Sequence, residues 1–304
     1  MGYSRWSDDA YSNLSANYAD KDADEIFSKS ANKDMLPKDV KIRESRDSDD
    51  HPESLAVMVF LDVTGSMGRI PDAIAHNKLG VLMKTIIDNK VKDPQILFGA
   101  IGDHHTDTTP LQIGQFESGT DELDKWLTSV YIESGGGGQD RESYLLAWLI
   151  AGRHTSIDCF EKRNTKGFLF TIGDEASWDV LDAHALKNIL GYKESEDLTD
   201  VQLLEEAQRL YNVYHIHINE ADHRDSSYVI GYWKKMLGER LIILNDYNAV
   251  CETIATLIAV QHGVDMKSIT SKFSKSIANA VNTALVAVSK GAMVATNDDG
   301  VIKL

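Results

Sequence analysis

The chain has 304 residues, of which 47 are acidic and 31 basic, so its formal net charge is −16. Such a surface repels a polyanion, and nucleic acid is therefore not an expected partner. Hydrophobic residues make up 42% and charged residues 26% of the chain, and these globular proportions exclude wholesale disorder.

Residues 1–54 are polar and rich in Asp and Lys, and they show no sustained hydrophobic period. Isolated aromatic residues interrupt this segment at Tyr3, Trp6, Tyr11, Tyr18 and Phe27. Two interpretations stay open. The segment is a flexible arm, or it is a strap that lays its aromatic side chains on the main domain or on a partner.

Residues 55–263 alternate apolar runs of strand length with amphipathic stretches of helix length. The predicted strands are Leu55–Leu61, Gln95–Ile101, Leu111–Phe116, Gly167–Ile172, Val213–Ile218 and Arg240–Leu244. The predicted helices are Pro71–Asn89, Asp121–Tyr131, Arg141–Arg153, Asp200–Leu210, Tyr228–Leu237 and Ala249–His262. This order predicts an α/β domain with a doubly wound, mostly parallel, six-stranded sheet and helices on both faces, a Rossmann-like arrangement.

Residues 264–304 carry an amphipathic helical pattern, because apolar residues recur at steps of three or four. The residues on this face are Ile269, Phe273, Ile277, Val281, Leu285 and Val288. Such a helix packs on its own domain or docks on another subunit, and oligomer formation through the two terminal arms follows from the second interpretation.

Other sequence features concern redox state and location. Cys159 and Cys251 lie far apart in apolar surroundings and are expected to be buried free thiols. The first residues lack the apolar run of a signal peptide, and no stretch of about 18 apolar residues is present. We therefore expect a cytoplasmic protein without a membrane partner.

Oxygen-bearing side chains follow the predicted strands at the sheet edge where ligands bind in doubly wound folds. Asp62, Thr64 and Ser66 follow the first strand, and Asp174 follows the fourth. The Gly-rich loop at residues 135–138 adds a third segment before Arg141. Hard oxygen ligands without His or Cys predict a site for Mg²⁺, or for Mn²⁺ or Ca²⁺.

The Asp-x-Thr-x-Ser pattern of Asp62, Thr64 and Ser66 resembles the metal-ion-dependent adhesion site of von Willebrand factor A domains. Further matches follow in order over residues 55–263: the stretch 102–104 (Gly-Asp-His), the Gly-rich loop with Glu142, and the pair 173–174 (Gly-Asp). The resemblance implies the von Willebrand factor A variant of the Rossmann-like fold. It also implies that Asp62 reaches the cation through water or supports its direct ligands, that Asp174 reaches it through water, and that Thr64 and Ser66 bind it directly.

The chain departs from the family pattern where a Thr ligand is usual. Gln139 stands at the nominal position and Asp140 stands beside it. Ligation by Asp140 would add negative charge and weaken attraction of a further carboxylate, whereas ligation by Gln139 would keep the site more neutral. Both alternatives stay open, and Asp103, His104 and Glu142 are expected at the rim of the site.

The resemblance implies a protein-binding module and not an enzyme. A partner's Asp or Glu would complete the coordination of the cation, and AAA+ ATPases of the MoxR type are the partner class suggested by analogy. One alternative is a metal-dependent hydrolase or phosphotransferase, with Glu142, Asp103 or His104 as general base. Another is a structural or assembly subunit that acts through its terminal arms.

Overall fold

The structure is a computed structural model that describes residues 4–18, 20–21, 23–67, 70–133, 140–193 and 196–295. Its strands, numbered in chain order, are β1 Arg43–Ser45, β2 Leu55–Asp62, β3 Pro94–Ile101, β4 Leu111–Ile113, β5 Arg141–Glu142, β6 Thr155–Ile157, β7 Gly167–Gly173, β8 Ala176–Ser177, β9 Val180–Leu181, β10 Leu198–Thr199, β11 Tyr211–Ile218 and β12 Leu241–Leu244.

The α-helices follow the same order. They are α1 Asp8–Tyr18, α2 Ala23–Ile26, α3 Ile70–Asp88, α4 Thr120–Thr128, α5 Leu145–Arg153, α6 Asp158–Glu161, α7 Ala183–Leu190, α8 Asp200–Leu210, α9 Ser227–Leu237, α10 Val250–Gln261, α11 Met266–Thr270 and α12 Lys275–Ala295. In this part of the chain, none of the helices combines the length and hydropathy of a membrane span.

Six strands form the central sheet in the order β12-β11-β7-β2-β3-β4. The five strands from β12 to β3 are parallel to their neighbours, and β4 is antiparallel to β3. The six strands predicted from apolar runs are the six strands of this sheet. The prediction of an α/β fold with a mostly parallel, six-stranded sheet is confirmed.

Both faces of the sheet are buried because side chains alternate along each strand. On β2, Val57, Val59 and Leu61 face a core built with α3, α4 and α10. Met58 and Phe60 face a second core built with α5, α7, α8 and α9. Asp62 continues the series of Met58 and Phe60, so its side chain points to the α5 side of the sheet.

Several predicted boundaries are wrong in detail. The helix expected over Arg141–Arg153 begins only at Leu145, because Arg141 and Glu142 pair in parallel with Ala176 and Ser177. The strand expected over Leu111–Phe116 ends at Ile113. Helix α7 was not predicted, although Asp182 caps it by accepting a hydrogen bond from the amide of Ala185.

The N-terminal segment packs against the sheet domain. Helix α1 contacts α3 and α4, and Trp6, Tyr11 and Tyr18 lie against the first core. Met35 is fully buried there. Strand β1 pairs with β6, and the arrangement corresponds to a strap on the main domain.

Between residues 264 and 295, the C-terminal segment forms two helices, α11 and α12, where the sequence pattern suggests one. Val281, Leu285 and Val288 are buried against the first core, and α12 contacts α10 and β12. The apolar face of this segment therefore packs on its own domain. Cys159 and Cys251 are both buried free thiols, as expected.

Candidate metal centre

Asp62 is the last residue of β2 and its side chain is fully buried. Its Oδ1 accepts hydrogen bonds from the amide of Thr64 at 2.9 Å and from Thr64 Oγ1 at 2.6 Å. Its Oδ2 accepts from the hydroxyl of Tyr144 at 2.7 Å. The carboxylate is thus held at both oxygens, and the Thr64 hydroxyl lies against it.

Because Gly173 has no side chain, it leaves room for the contact between the Asp62 carboxylate and the Tyr144 hydroxyl. Strands β2 and β7 pair with Leu61 beside Ile172, so Gly173 lies next to Asp62. A Cβ atom at Gly173 would lie 1.8 Å from the Tyr144 hydroxyl and 2.9 Å from Asp62 Oδ2. No larger residue fits at this position without moving one of the two side chains.

Asp174 and Glu175 follow β7 directly, and both are buried. Asp174 Oδ2 accepts a hydrogen bond from the amide of His223 at 2.9 Å and lies 3.1 Å from His223 Nδ1. Glu175 Oε1 lies 3.7 Å from the same Nδ1. The Glu175 backbone is fixed by the indole of Trp233, which donates to its carbonyl at 2.8 Å.

The strand-end carboxylates, which we define as Asp62, Asp174 and Glu175, converge on one point. One oxygen of each lies within 4.8 Å of the others, a spacing at which a single cation can be bound. Ligands that are all oxygens suit Mg²⁺, Mn²⁺ or Ca²⁺ and do not suit a soft metal. The residues therefore fit the hard cation predicted from the sequence.

Burial and mutual repulsion raise the pKa values of carboxyl groups in this cluster. Burial, together with the charge of Asp174, raises the pKa of Asp62 to about 7. Burial and the charge of Asp62 raise the pKa of Glu175 to about 8. Carboxyl groups titrate this high when nothing positive compensates them, and a bound cation would supply that compensation.

Glu142 lies beside the strand-end carboxylates because β5 and β8 pair in parallel, with Glu142 next to Ser177. Its side chain is 3% exposed. Burial, with the charges of Asp62 and Glu175, raises its pKa to about 12. A protonated Glu142 carboxyl could donate a hydrogen bond to Glu175, whereas an ionised one could not.

Asp103 and His104 lie in the loop after β3 and are held by other partners. Asp103 Oδ1 accepts from the indole of Trp178 at 2.9 Å and from the amide of His105 at 3.0 Å. His104 Nδ1 lies 2.8 Å from Ser143 Oγ. Burial and the neighbouring His105 lower the pKa of His104 to about 4, so its imidazole is neutral at pH 7.

The remaining predicted ligands are Ser66, Gln139 and Asp140, and the structure describes two of these three residues. Ser66 is in the turn Gly65–Met67 that follows Thr64. Gln139 lies outside the described residues. Asp140 is described, and its exposed carboxylate lies 3.1 Å from His223 Nε2. His223 thus joins Asp140 to Asp174.

Three residues of the site were not predicted from the sequence. Glu175 had a usable signal, because it stands next to Asp174 at the same strand end. Tyr144 and His223 had none, since each reaches the site from a distant part of the chain. Their roles depend on which strands are neighbours, and this is a property of the sheet and not of the local pattern.

Replacing Gly173 with Ala is expected to destabilise the chain by about 1–3 kcal/mol, the usual cost of overpacking a buried site. The added methyl group would displace the Tyr144 hydroxyl from Asp62. Urea unfolding measures the loss. Gly231→Ala is the matched control, because a Cβ atom there meets nothing within 4 Å and should leave stability unchanged or slightly raised. Equal effects of the two substitutions would contradict the steric argument.

No protein-family model matches this chain, and a search of curated proteins finds no match. Among solved structures, the chain is similar to the pilus adhesin SpaC from Lactobacillus rhamnosus GG, with 8% identity and a TM-score of 0.43. It is also similar to proximal thread matrix protein 1 from the mussel byssus, with 8% identity and a TM-score of 0.45.

These similarities cover different shares of the two chains in each pair. The first covers 71% of this chain and 32% of the adhesin, and the second covers 68% of this chain and 48% of the thread matrix protein. The chain therefore spans about a third of the one and about half of the other. Similarity of this extent says nothing about what the chain binds.

Proposed function

We propose that this protein is a divalent-cation-dependent protein-binding module. The observation that carries the proposal is the convergence of Asp62, Asp174 and Glu175 at the carboxyl ends of two adjacent parallel strands. In the proposed complex, Mg²⁺ is held there with Thr64 and Ser66, and a partner's Asp or Glu completes its coordination. Mn²⁺ or Ca²⁺ could take the same place.

The likeness to von Willebrand factor A domains belongs to this proposal. It is supported by the order of the loop motifs and by the position of Asp62 and Thr64 at the end of a central strand. A MoxR-type AAA+ ATPase is the partner class we favour, by analogy with that family. The cytoplasmic location stays a prediction from the sequence.

A hydrolase at the same site is less well supported, because the candidate bases are poorly suited. The Asp103 carboxylate is engaged by Trp178 and His105. The low pKa of His104 makes its imidazole a weak base. Glu142 carries a proton in the cation-free protein, since burial and neighbouring charges raise its pKa to about 12.

Function through the terminal arms alone is also less well supported. The aromatic side chains of the N-terminal strap and the apolar face of α12 both pack against the sheet domain. The surroundings of the carboxylates, in contrast, include an exposed aromatic residue. Tyr228 is 45% exposed, and the Arg141 guanidinium lies over the rings of Tyr228 and Trp178. Trp178 and Arg141 are half-buried beside it, and Tyr, Trp and Arg are enriched at protein interfaces.

The proposal is tested by selecting random peptides displayed on phage against the immobilised full chain in Mg²⁺ and eluting with EDTA. The eluted peptides are expected to share an Asp or Glu, and changing that residue to Asn or Gln should abolish their binding. The same selection on Asp62→Asn should yield no peptides that elute with EDTA, because the cation is lost.

Glu205→Gln is the matched control for this selection, since Glu205 is an exposed acid on α8. It should give the same peptides as the wild type. The proposal is wrong if the EDTA eluate shows no enrichment of acidic residues. It is equally wrong if Asp62→Asn yields the same peptides as the wild type.

A further inference from the structure

The candidate metal centre contains more negative charge than one divalent cation neutralises. Asp62, Asp174, Glu175 and Glu142 are four carboxyl groups, each at most 4% exposed. If all four are ionised, one Mg²⁺ leaves a net charge of about −2. Such a centre would repel the partner carboxylate that the proposed function requires.

Glu142 and Glu175 each have one buried carboxylate oxygen that makes no hydrogen bond within the described part of the chain. The two residues are 3% and 4% exposed. Neither Glu142 Oε2 nor Glu175 Oε2 has a hydrogen-bond partner among the residues that the structure describes. Buried carboxylate oxygens almost always have a partner, and two such atoms on adjacent side chains indicate a ligand that both would contact.

The backbone around both residues is fixed. Strand β5 carries Glu142 and pairs with β8, which begins directly after Glu175. The amide of Trp178 donates to the Glu142 carbonyl at 3.1 Å. The Trp233 indole donates to the Glu175 carbonyl at 2.8 Å. The two carboxyl groups are therefore presented to each other by rigid elements and not by chance contact of mobile loops.

We propose that Glu142 and Glu175 bind a second divalent cation, so that Glu175 lies between two cations. Two protein carboxylates with water in the remaining positions are a usual ligand set for Mg²⁺. Cations in such paired sites lie about 3.5–4 Å apart. The inference rests on the proposed function for the first cation, at Asp62, Asp174 and Glu175.

The second cation changes what the centre can bind. Two divalent cations balance four carboxylates, and the neutral centre can then accept the carboxylate of a partner. Occupancy of the second site would thereby control partner binding. The competing arrangement is a protonated Glu142 that donates to Glu175 in the working protein and leaves one cation only.

Mn²⁺ distinguishes these arrangements when it is added to the full wild-type chain. Equilibrium dialysis should give two Mn²⁺ per chain, and electron paramagnetic resonance should show an exchange-coupled pair. Glu142→Gln should retain one Mn²⁺ with an uncoupled six-line spectrum, because the amide can still donate to Glu175 but is a poor ligand. Glu205→Gln should behave as the wild type.

Three other outcomes would contradict a second cation site at Glu142 and Glu175. One uncoupled Mn²⁺ in the wild type overturns the second site and leaves the proposed function intact, whether or not Glu142→Gln folds. A coupled pair in Glu142→Gln assigns the second cation to other residues. Absence of bound Mn²⁺ in the wild type overturns both proposals together.

Discussion

Mg²⁺ is expected to raise the melting temperature of the wild-type chain and to leave that of Asp62→Asn unchanged. A ligand that binds only the folded state adds about 2.7 kcal/mol at 100 times its dissociation constant, which corresponds to a rise of roughly 4 °C for a chain of this length. Asn is isosteric with Asp and can still accept the hydrogen bonds from Thr64. Thermal unfolding across MgCl2 and MnCl2 titrations, with EDTA as the reference, measures the difference.

Glu205→Gln is again the control, because it removes one exposed negative charge on α8. It should show the full rise with Mg²⁺. Wild-type curves that coincide in EDTA and in millimolar Mg²⁺ would contradict the metal centre. An equal rise in Asp62→Asn would show that the cation binds elsewhere.

In EDTA, Asp62→Asn is expected to become more stable relative to the wild type as the pH rises from about 4 to about 7. Burial and the charge of Asp174 raise the pKa of Asp62 to about 7 in the folded chain, whereas an unfolded Asp titrates near 4. Between these values the folded wild type binds the extra proton, so its stability falls as the pH rises. The difference is on the order of 4 kcal/mol and is measured by urea unfolding.

The comparison between the two proteins removes the titrations that the charge of Asp62 does not influence, whereas those of Glu142 and Glu175 change with it. Burial lowers the pKa of His104 and of His215, which adds stability as the pH rises, but by the same amount in both chains. Saturating Mg²⁺ should reverse the order, because the cation then replaces the proton in the wild type. A constant difference from pH 4 to pH 7 in EDTA would show that Asp62 has an ordinary pKa.

The central sheet was predictable because each buried strand is a short apolar run bounded by polar residues. Leu55–Asp62 and Gly167–Gly173 are examples, and their buried faces require nothing more specific than hydrophobicity. The carboxylates Asp62 and Asp174 were predictable for a related reason. Parallel strands end at the same edge, so residues just after them are brought together.

The rest of the site depends on contacts that leave no local pattern. Tyr144 reaches Asp62 only because α5 covers the neighbouring strand, and His223 reaches Asp174 from the loop after β11. Helix α1 was missed because its surface is mostly polar. Tyr11 and Tyr18 are seven residues apart and share one face, and this spacing was the only hint of its packing.

The N-terminal strap has a practical consequence for dissecting the protein. Phe27 and Met35 are buried in the same core as α3 and α10. Arg43 donates to the backbone carbonyl of Ile113, at the end of edge strand β4. A fragment limited to residues 55–263 would expose these contact surfaces and lose the apolar cover of α12. The sheet and its two terminal segments are therefore one folding unit, and the smallest fragment suitable for binding studies retains all three.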